Sequence, residues 1–583
     1  MDAAAARDQP GKAILMHILG LSCFYHDAAA CLLREGELVA ACQEERFSRI
    51  KHDWHLPVES IRYCLRESGV SIDDIDAVAF YEKPFLKFER MLETFLSTAP
   101  RGYRSFVETL PSWLKQKLWL PRALETQIGF RKRTLYFEHH LSHAASSFFL
   151  SPFDESAVLT VDGVGEWATA SYGRGRGSRI TLTHEMRFPH SLGLLYSSVT
   201  TFLGFRANHD EYKVMGMAPY GSPEFAAAML KELVHRRKDG SLSLDLRSFS
   251  YQYGRRMFDR DRFRRVFGIT PRDPGAEITR QHFDIAASLQ KVTEDTVLSM
   301  AEHVRRETRL RDLCLAGGVA LNSVANGRLL REGPFDRIFI QPAAGDAGGA
   351  LGAAYAAYHH YLGRTDRHPL QTLYLGPAYP AAEINSASAA ADMPFQELSA
   401  SELIPAAARL IAEGNVIGWF QGRTEFGPRA LGNRSILADP RRAEMKDIVN
   451  QKVKFREPFR PFAPAVPVED CSRFFRLDRP SPFMLMTVPV LSDRLPAVTH
   501  VDGSARVQTV DRDQNPLFHE LLTSFGKLTG VPVLMNTSLN IKGEPIALTP
   551  ADAVRCLAGS EMDFLILGNR LLAKREQDLH ALR

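Results

Sequence analysis

Cysteine is scarce and unpatterned. The 583-residue chain holds seven, Cys23, Cys31, Cys42, Cys64, Cys314, Cys471 and Cys556, an odd number with no C-x-x-C pair. That excludes a disulfide framework and a thiolate zinc site, and it suits a reducing compartment, so a cytoplasmic protein is expected. No run approaches the roughly 18 apolar residues that a membrane helix needs, and no membrane partner is expected. Neither sign of charge is in excess: 72 Lys+Arg stand against 68 Asp+Glu, a net +4. So slight a bias argues against nucleic acid as the main partner. Two catalytic signatures are also missing. Without G-x-x-x-x-G-K-[ST] there is no P-loop for a nucleotide, and without G-x-S-x-G there is no serine-hydrolase elbow. The opening MDAAAARDQPGKAILMHILG is a poor signal peptide, because Asp2 and Asp8 come early and His17 cuts the apolar run. Residues 1–15 are expected to form a disordered leader, with Met16 a candidate start.

What is present is ordinary in bulk and patterned in detail. With 45% hydrophobic and 24% charged residues, the chain can build two or three cored domains. Two segments share one pattern. HILGLSCFYHDAAACLLREGELVAACQEERF and AVLTVDGVGEWATASYGRGRGSRITLTHEM each run from an apolar strand through a polar turn, holding His26 and Asp27 or Asp162, into a small-residue strand, a Gly turn and another strand. A duplicated half-domain is the inference. Two strand–turn–helix units follow: LCLAGGVALNSVANGRLL, with Gly317, Gly318 and Asn322 at its turn, and IFIQPAAGDAGGALGAAYAAYHHYL, with Asp346 opening an Ala-rich helix. Such turns let a backbone approach phosphate, although a tight connection explains each glycine pair equally simply. The charged region 219–300 reads mainly as helices. Gly, Pro and charge around HHYLGRTDRHPLQTLYLGPAYP place a domain boundary near Arg367, after which AAARLIAEGNVIGWFQGR is an amphipathic helix leading into a strand. This order of elements resembles the architecture of actin, heat-shock chaperone ATPases and sugar kinases.

The stretch EHHLSHAASSFF, residues 138–149, places His139 and His143 four apart. On a helix they point the same way within about 40° and can meet one ligand, while His140 is turned aside. The geometry permits a metal, and a hydrogen-bonded helix end is the plainer alternative. In the last third of the chain Arg423, Arg429, Arg434, Lys452, Lys454, Arg456, Arg460 and Arg506 alternate with Pro and Phe, which anchors them against apolar strands. Guanidinium forks suit phosphates; a solvated charged face is the bland reading. Lys213 in YKVMGMAPYG is either an anion ligand or a solvated lysine.

HILGLSCFYHDAAACLL, QEERFSRIKHD, EHHLSHAASSFF, LTVDGVGE, YKVMGMAPYG, LAGGVALN, GRTEFGPRALGNRSILADPR, KFREPFRPFAPAV and LMNTSLN, in this order, resemble the O-carbamoyltransferase family of nodulation-factor, cephamycin and aminoglycoside biosynthesis. The match covers nearly the whole chain from Met16. It implies an actin-like domain over residues 16–366, similar to the tRNA threonylcarbamoylation enzyme, and a domain over 367–583 similar to the enzyme that makes threonylcarbamoyl-adenylate. It also implies ATP, with Mg2+, and carbamoyl phosphate as substrates, carbamoyl-adenylate as intermediate, and a hydroxylated small molecule, such as a natural product, as acceptor. His139, His143, Asp162 and Asp346 correspond to the family's ligands for Fe(II) or another divalent ion, a donor set suited to such metals. His26, with Asp27, matches a position beside the acceptor hydroxyl, where an imidazole is the natural base; a turn histidine that caps backbone groups is the alternative. Arg429, Lys454, Arg460, Arg506 and Ser538 are carried onto the adenylate-forming site, with Asn536 and Asn540 as polar liners. A fused tRNA threonylcarbamoyl transferase and a non-enzymatic actin-like nucleotide-binding protein are the rival readings, a homodimer is left open, and the acceptor is not specified.

Overall fold

The computed structural model describes residues 16–115 and 117–580; the expected leader, residues 1–15, lies outside them. The described chain opens with a meander of β1 (His17–Ser22), β2 (Ala29–Arg34) and β3 (Glu37–Gln43). Glu35 and Gly36 both take positive φ, 47° and 81°, at the two-residue turn joining the last two, the conformation whose twist matches a tight hairpin. β4 (Ala77–Phe80) and β5 (Arg133–Tyr136) then add in parallel on the free side of β1, giving the order β3-β2-β1-β4-β5.

The second sheet repeats the first. β6 (Glu155–Val161), β7 (Ala168–Arg176) and β8 (Arg179–Arg187) form the antiparallel meander, and β9 (Asp312–Ala316) and β10 (Arg337–Ile340) extend it in parallel, in the order β8-β7-β6-β9-β10. This duplication is the actin-like arrangement, as the paired sequence patterns predicted. In each repeat the last parallel strand feeds a helix: α1 (His139–Phe148) after β5 and α2 (Asp346–Ala356) after β10. Every residue of α2 is buried, which fits a helix that is apolar or small all round. Its small residues let it pack backbone to backbone. A Cβ on Gly352 would lie 1.7 Å from the carbonyl oxygen of Ser142 on α1, and one on Gly20 of β1 would lie 2.2 Å from that of Ala350.

Helices fill the connections. Pro84–Thr98, Tyr103–Lys115 and Leu120–Ile128 lie between β4 and β5, and the 29-residue helix Arg280–Thr308 leads back into β9. The region 219–300, expected to be mainly helices, is only about half helical: Ala226–Glu232, Arg260–Phe267 and the start of Arg280–Thr308 are separated by loops and by a small ribbon of Val234–Arg236 paired with Leu242–Leu244, because its many charged residues serve turns and caps as well as helix faces. Beyond residue 367, helix Ala400–Ala412, started by a Ser399/Glu402 capping box, leads into strand Ile417–Phe420. That strand lies inside a mixed eight-stranded sheet with Arg434–Ala438 and Leu534–Ser538 beyond it. Among the described residues no helix is long and apolar enough to cross a membrane, and all seven cysteines are free and buried.

Candidate active site

The duplicated topology brings α1, the turn after β6 and the start of α2 to one point. His139 and His143 project from α1, Asp162 follows β6, and Asp346 is the first residue of α2; all four are buried, with donor atoms within 4.8 Å of one another. His139 Nε2 lies 3.0 Å from His143 Nε2 and 3.1 Å from Asp162 Oδ2. Asp346 Oδ1 stands 3.7 Å from His139 Nε2. A single imidazole nitrogen offers a lone pair or a proton, not both, so His139 Nε2 cannot satisfy both near neighbours. A divalent cation accepting all these lone pairs resolves the conflict, and the donor set fits one. Burial and the neighbouring His143 hold His139 well below the usual histidine range. Burial raises the Asp162 carboxyl, but the two imidazoles facing it outweigh burial and hold it well below its usual value. His140 turns away to Thr160 Oγ1, at 2.7 Å.

The helix that carries the pair is capped from a distance. Glu166 accepts from His139 N at 3.1 and 3.0 Å, which occupies an otherwise orphaned donor at the positive end of α1, and from Lys83 N at 2.7 Å, at the start of helix Pro84–Thr98.

Beside this cluster, His26 and Asp27 occupy the turn between β1 and β2. Asp27 sits between two imidazoles, with Oδ2 2.9 Å from His26 Nδ1 and Oδ1 2.7 Å from His52 Nδ1. With Nδ1 engaged by the carboxylate, His26 points Nε2 at the metal cluster, 3.9 Å from Asp346 Oδ2. Burial disfavours the charged His26 ring, but Asp346 and the hydrogen-bonded Asp27 outweigh it and hold the ring well above the usual histidine range. Phe24, Asp27, Arg49 and His52 all take positive φ, between 52° and 73°. Side chains rarely adopt that region, at about 1–3 kcal/mol each, and such strain gathers where surroundings impose a functional geometry.

Across the cleft the cations gather almost without counter-charge. Lys454, on the turn after a short helical segment, donates to the carbonyl oxygens of Ser538 at 2.7 Å and Asn540 at 2.8 Å, and to Ser538 Oγ at 3.3 Å. Among the described residues no carboxylate pairs with it. Burial, then Arg456, hold the ammonium well below the usual lysine range. Burial lowers Arg429 to about 10, and burial with neighbouring Arg429, Arg456 and Arg460 holds Arg506 well below its normal value. Glu457 is the nearby acid, 3.7 Å from Arg460 and 3.3 Å from Lys213. Buried like charges with unspent donors are stabilised by a polyanion, and the Nε atoms of Arg429 and Arg506 are buried without a partner.

One cavity of about 640 Å³ joins the two clusters; His26, Asp27 and Asp162 line one side and Arg429, Lys454 and Arg506 the other. Two family models divide the chain in the same way. Carbamoyltransferase N-terminus matches residues 17–355 and Carbamoyltransferase C-terminus matches residues 408–574. The chain belongs to the carbamoyltransferase family. As a carbamoyltransferase it is 48% identical to the uncharacterized protein sll1178 of Synechocystis sp. over 97% of this chain and 98% of that one. It is 41% identical to nodulation protein NolNO of Sinorhizobium fredii over 95% of this chain and 79% of that protein. It is 33% identical to the 3'-hydroxymethylcephem-O-carbamoyltransferase of Amycolatopsis lactamdurans over 78% and 84% of the two chains.

Within this carbamoyltransferase fold most expected residues converge and a few do not. Arg460, Asn536 and Ser538 line the cavity, as do Gly318, whose N–H donates to Asp162 Oδ1 at 2.8 Å, and Asn322, which also caps helix Ser323–Glu332. Gly317 does not line it: with φ 94° it makes the turn, and a Cβ there would lie 2.3 Å from the oxygen of Val161. Arg434 is fully buried away from the cavity, with its guanidinium 3.6 Å over the ring of Phe420 and donating to carbonyls such as Gln421 O. Arg423 bridges to Leu375 O and Tyr63 OH, and Lys452 is exposed near Glu561. Lys213 is ion-paired with Asp210 and Glu457. The sequence reading passed over Tyr81, whose hydroxyl donates to Asp346 at 3.2 Å, and the group Glu45, Arg46 and His52. The last three stood inside a motif already quoted, QEERFSRIKHD, whose dense charge was the available signal.

Proposed function

We propose that the chain is an ATP-dependent O-carbamoyltransferase that works through carbamoyl-adenylate. The observation that carries this reading is the single cavity with a cation cluster, only partly offset by Glu457, at one end and a base beside an imidazole–carboxylate cluster at the other. At the cations, Arg429, Lys454, Arg460 and Arg506 hold the phosphates of ATP, bound with Mg2+, and of carbamoyl phosphate, with Ser538 and Asn536 lining the pocket. Water releases phosphate from carbamoyl phosphate, and a carboxyl oxygen of the resulting carbamate attacks the α-phosphorus of ATP. Carbamoyl-adenylate forms and pyrophosphate leaves. At the other end an alcohol oxygen attacks the carbamoyl carbon, the bond to AMP breaks, and the alcohol proton passes to His26 Nε2. Asp27 takes the Nδ1 proton of His26 as acceptor and so keeps the Nε2 lone pair facing the cleft.

His139, His143, Asp162 and Asp346 would hold Fe(II) or another divalent ion, which supplies a Lewis acid for the carbamoyl carbonyl. Asp346 engaged in this way would attract the proton of His26 less, which would favour the neutral base. We divide the chain between residues 366 and 367. Arg367 donates to the carbonyl oxygens of Phe153 and Ser151, and so fastens the junction to the amino-terminal part. The free buried cysteines support a place in the cytoplasm.

Purified protein incubated with ATP, carbamoyl phosphate and a panel of hydroxylated natural products tests the proposal. One product is expected to gain the mass of a carbamoyl group, with AMP and pyrophosphate formed in equal amounts. Formation of ADP, or carbamoylation without ATP, overturns it.

A further inference from the structure

Residues 43–55 touch both ends of the cavity. On the nucleotide side Arg46, 2% exposed, donates through Nη2 to Gly427 O at 2.7 Å and to Gln43 Oε1 at 3.2 Å. Gly427 N returns to the same Gln43 oxygen at 3.2 Å. Gly427 stands two residues before Arg429 and takes φ 110°, a conformation that fixes the loop to glycine there. On the transfer side His52 Nδ1 holds Asp27, which holds His26. Glu45 joins the two sides. Its Oε1 takes Arg46 Nη1 at 2.5 Å and its Oε2 accepts the backbone N–H of His52 at 2.8 Å. The result is an unbroken chain, Gly427, Arg46, Glu45, His52, Asp27, His26, that ends 3.9 Å from Asp346.

The backbone leaves this chain little slack. Phe24 N donates to Trp54 O at 2.6 Å and Ala28 N to Asp53 O at 2.7 Å, so the loop is laced to the turn that bears His26. Arg49 donates to Ile546 O at 2.7 Å and Pro545 O at 2.9 Å, which ties the other side of the loop to the wall beyond Lys454. Gly427, the backbone acceptor of Arg46, lies on the same loop as Arg429, two residues before it. Glu45, the carboxylate paired with Arg46, also orders the peptide of His52.

We propose that Glu45, Arg46 and His52 are positioning residues that couple the Arg429 loop to His26, so that nucleotide at the cation cluster tightens the hold on the transfer base. The coupling rests on the adenylate reading above. It would align the base when the nucleotide end is filled, and so limit loss of a reactive carbamoyl group to water. Such coupling requires a ligand that interacts differently with the two states of the linkage.

Labelling of individual histidines by diethylpyrocarbonate, read by peptide mass spectrometry with and without α,β-methylene ATP, tests it on the full-length protein. The analogue cannot release pyrophosphate, so the nucleotide end stays occupied. In the wild type it is expected to slow labelling of His52 and His26 at least threefold. In Arg46→Ala that slowing is expected to disappear while calorimetry shows the analogue still bound, and Arg46→Lys is expected to restore part of it. Glu45→Gln, which keeps the side-chain shape, is the second variant if Arg46→Ala does not fold. A merely structural role would lower the melting temperature without removing the ligand-dependent difference. Equal slowing in wild type, Arg46→Ala and Glu45→Gln means direct shielding and overturns the coupling, as does analogue binding with no slowing in the wild type. Failure of the wild type to bind the analogue at all sinks the adenylate reading, and the coupling with it.

Discussion

Lys454 illustrates how burial prepares a side chain for a ligand. Its ammonium has three protons, and four oxygens already crowd them, the carbonyl oxygens of Ser538 and Asn540, Asn540 Oδ1 and Ser538 Oγ, so a phosphate oxygen bound there would have to displace at least one of these acceptors. A compact ammonium can trade one acceptor for another, whereas a planar guanidinium cannot reproduce the set. Lys454→Met is therefore expected to cut pyrophosphate release by about one to two powers of ten, the loss of a charged hydrogen bond worth roughly 1.5–3 kcal/mol. Lys454→Arg is expected to recover less than a tenth of it, although the charge is kept. Wild-type pyrophosphate release in Lys454→Met would remove the residue from the site. His359 shows burial acting without function. Its Nδ1 meets Arg364 O at 2.9 Å, its ring lies 4.2 Å from that of Phe149, and burial lowers it to about 4. Because the folded value lies below the ordinary 6.5 or so of an unfolded histidine, its neutral-form stability is complete above that value. It is lost as pH falls from there through about 4, up to about 3 kcal/mol in all. The melting temperature of the wild type is expected to fall relative to His359→Gln across that window, and parallel curves would contradict the buried neutral ring.

At the scale of elements, the proposed metal site depends on how closely α1 and α2 approach. His139 and His143 come from one helix and Asp346 from the other, and Gly352 allows the contact: any Cβ there would overlap Ser142 O. Gly352→Ala is expected to force the helices apart, costing about 1–3 kcal/mol and most of the bound metal, as measured by melting temperature and elemental analysis. Full metal occupancy with an unchanged melting temperature would show that the helices adjust independently of the cluster. Local pattern made much of this legible in advance. The four-residue spacing of His139 and His143 is a property of one helix, and the repeated strand–turn–strand pattern of the first and second meanders implied a duplicated fold before any contact was known. Asp162 and Asp346 were reached through resemblance to the carbamoyltransferases, because nothing local distinguishes a ligand aspartate from one that begins a helix. Arg46 and Glu45 escaped notice for a physical reason: their partners Gly427 and His52 lie 381 and 7 residues away, and a dense polar run reads as solvated surface until the far loop closes over it. Gly317 misled in the opposite sense, since its positive φ serves packing against Val161 while its neighbour Gly318 faces the cavity.

For the whole molecule, the question is whether one cavity means one inseparable reaction. On the proposed reading, adenylate formation needs the cations around phosphate and transfer needs the base beside the imidazole–carboxylate cluster; His26 and Asp162 line one wall, and Arg429, Lys454 and Arg506 the other, of the same space of about 640 Å³. If carbamoyl-adenylate is the intermediate, a shared cavity would let it reach His26 without release to solvent, while the chemistry at each wall would still depend on different side chains. Their failures should therefore separate. Lys454→Ala is expected to release little pyrophosphate from ATP and carbamoyl phosphate, but to transfer carbamoyl to an alcohol when synthetic carbamoyl-adenylate is supplied. His26→Asn is expected to do the reverse: it forms the intermediate, consumes ATP, and passes little carbamoyl group to the alcohol whether or not the adenylate is supplied. Folding can be checked by melting temperature, because neither position lies in a hydrophobic core cluster. The shared space adds a second expectation. Unlabelled carbamoyl-adenylate added in excess should dilute label from carbamoyl phosphate only slightly in the wild type, since the intermediate made inside does not mix with the bulk. If both variants respond alike to supplied adenylate, the two walls are not divided as the side chains imply and His26 is structural. If dilution is complete while the variants still separate, the division stands and the cavity is an open meeting place instead of a closed passage.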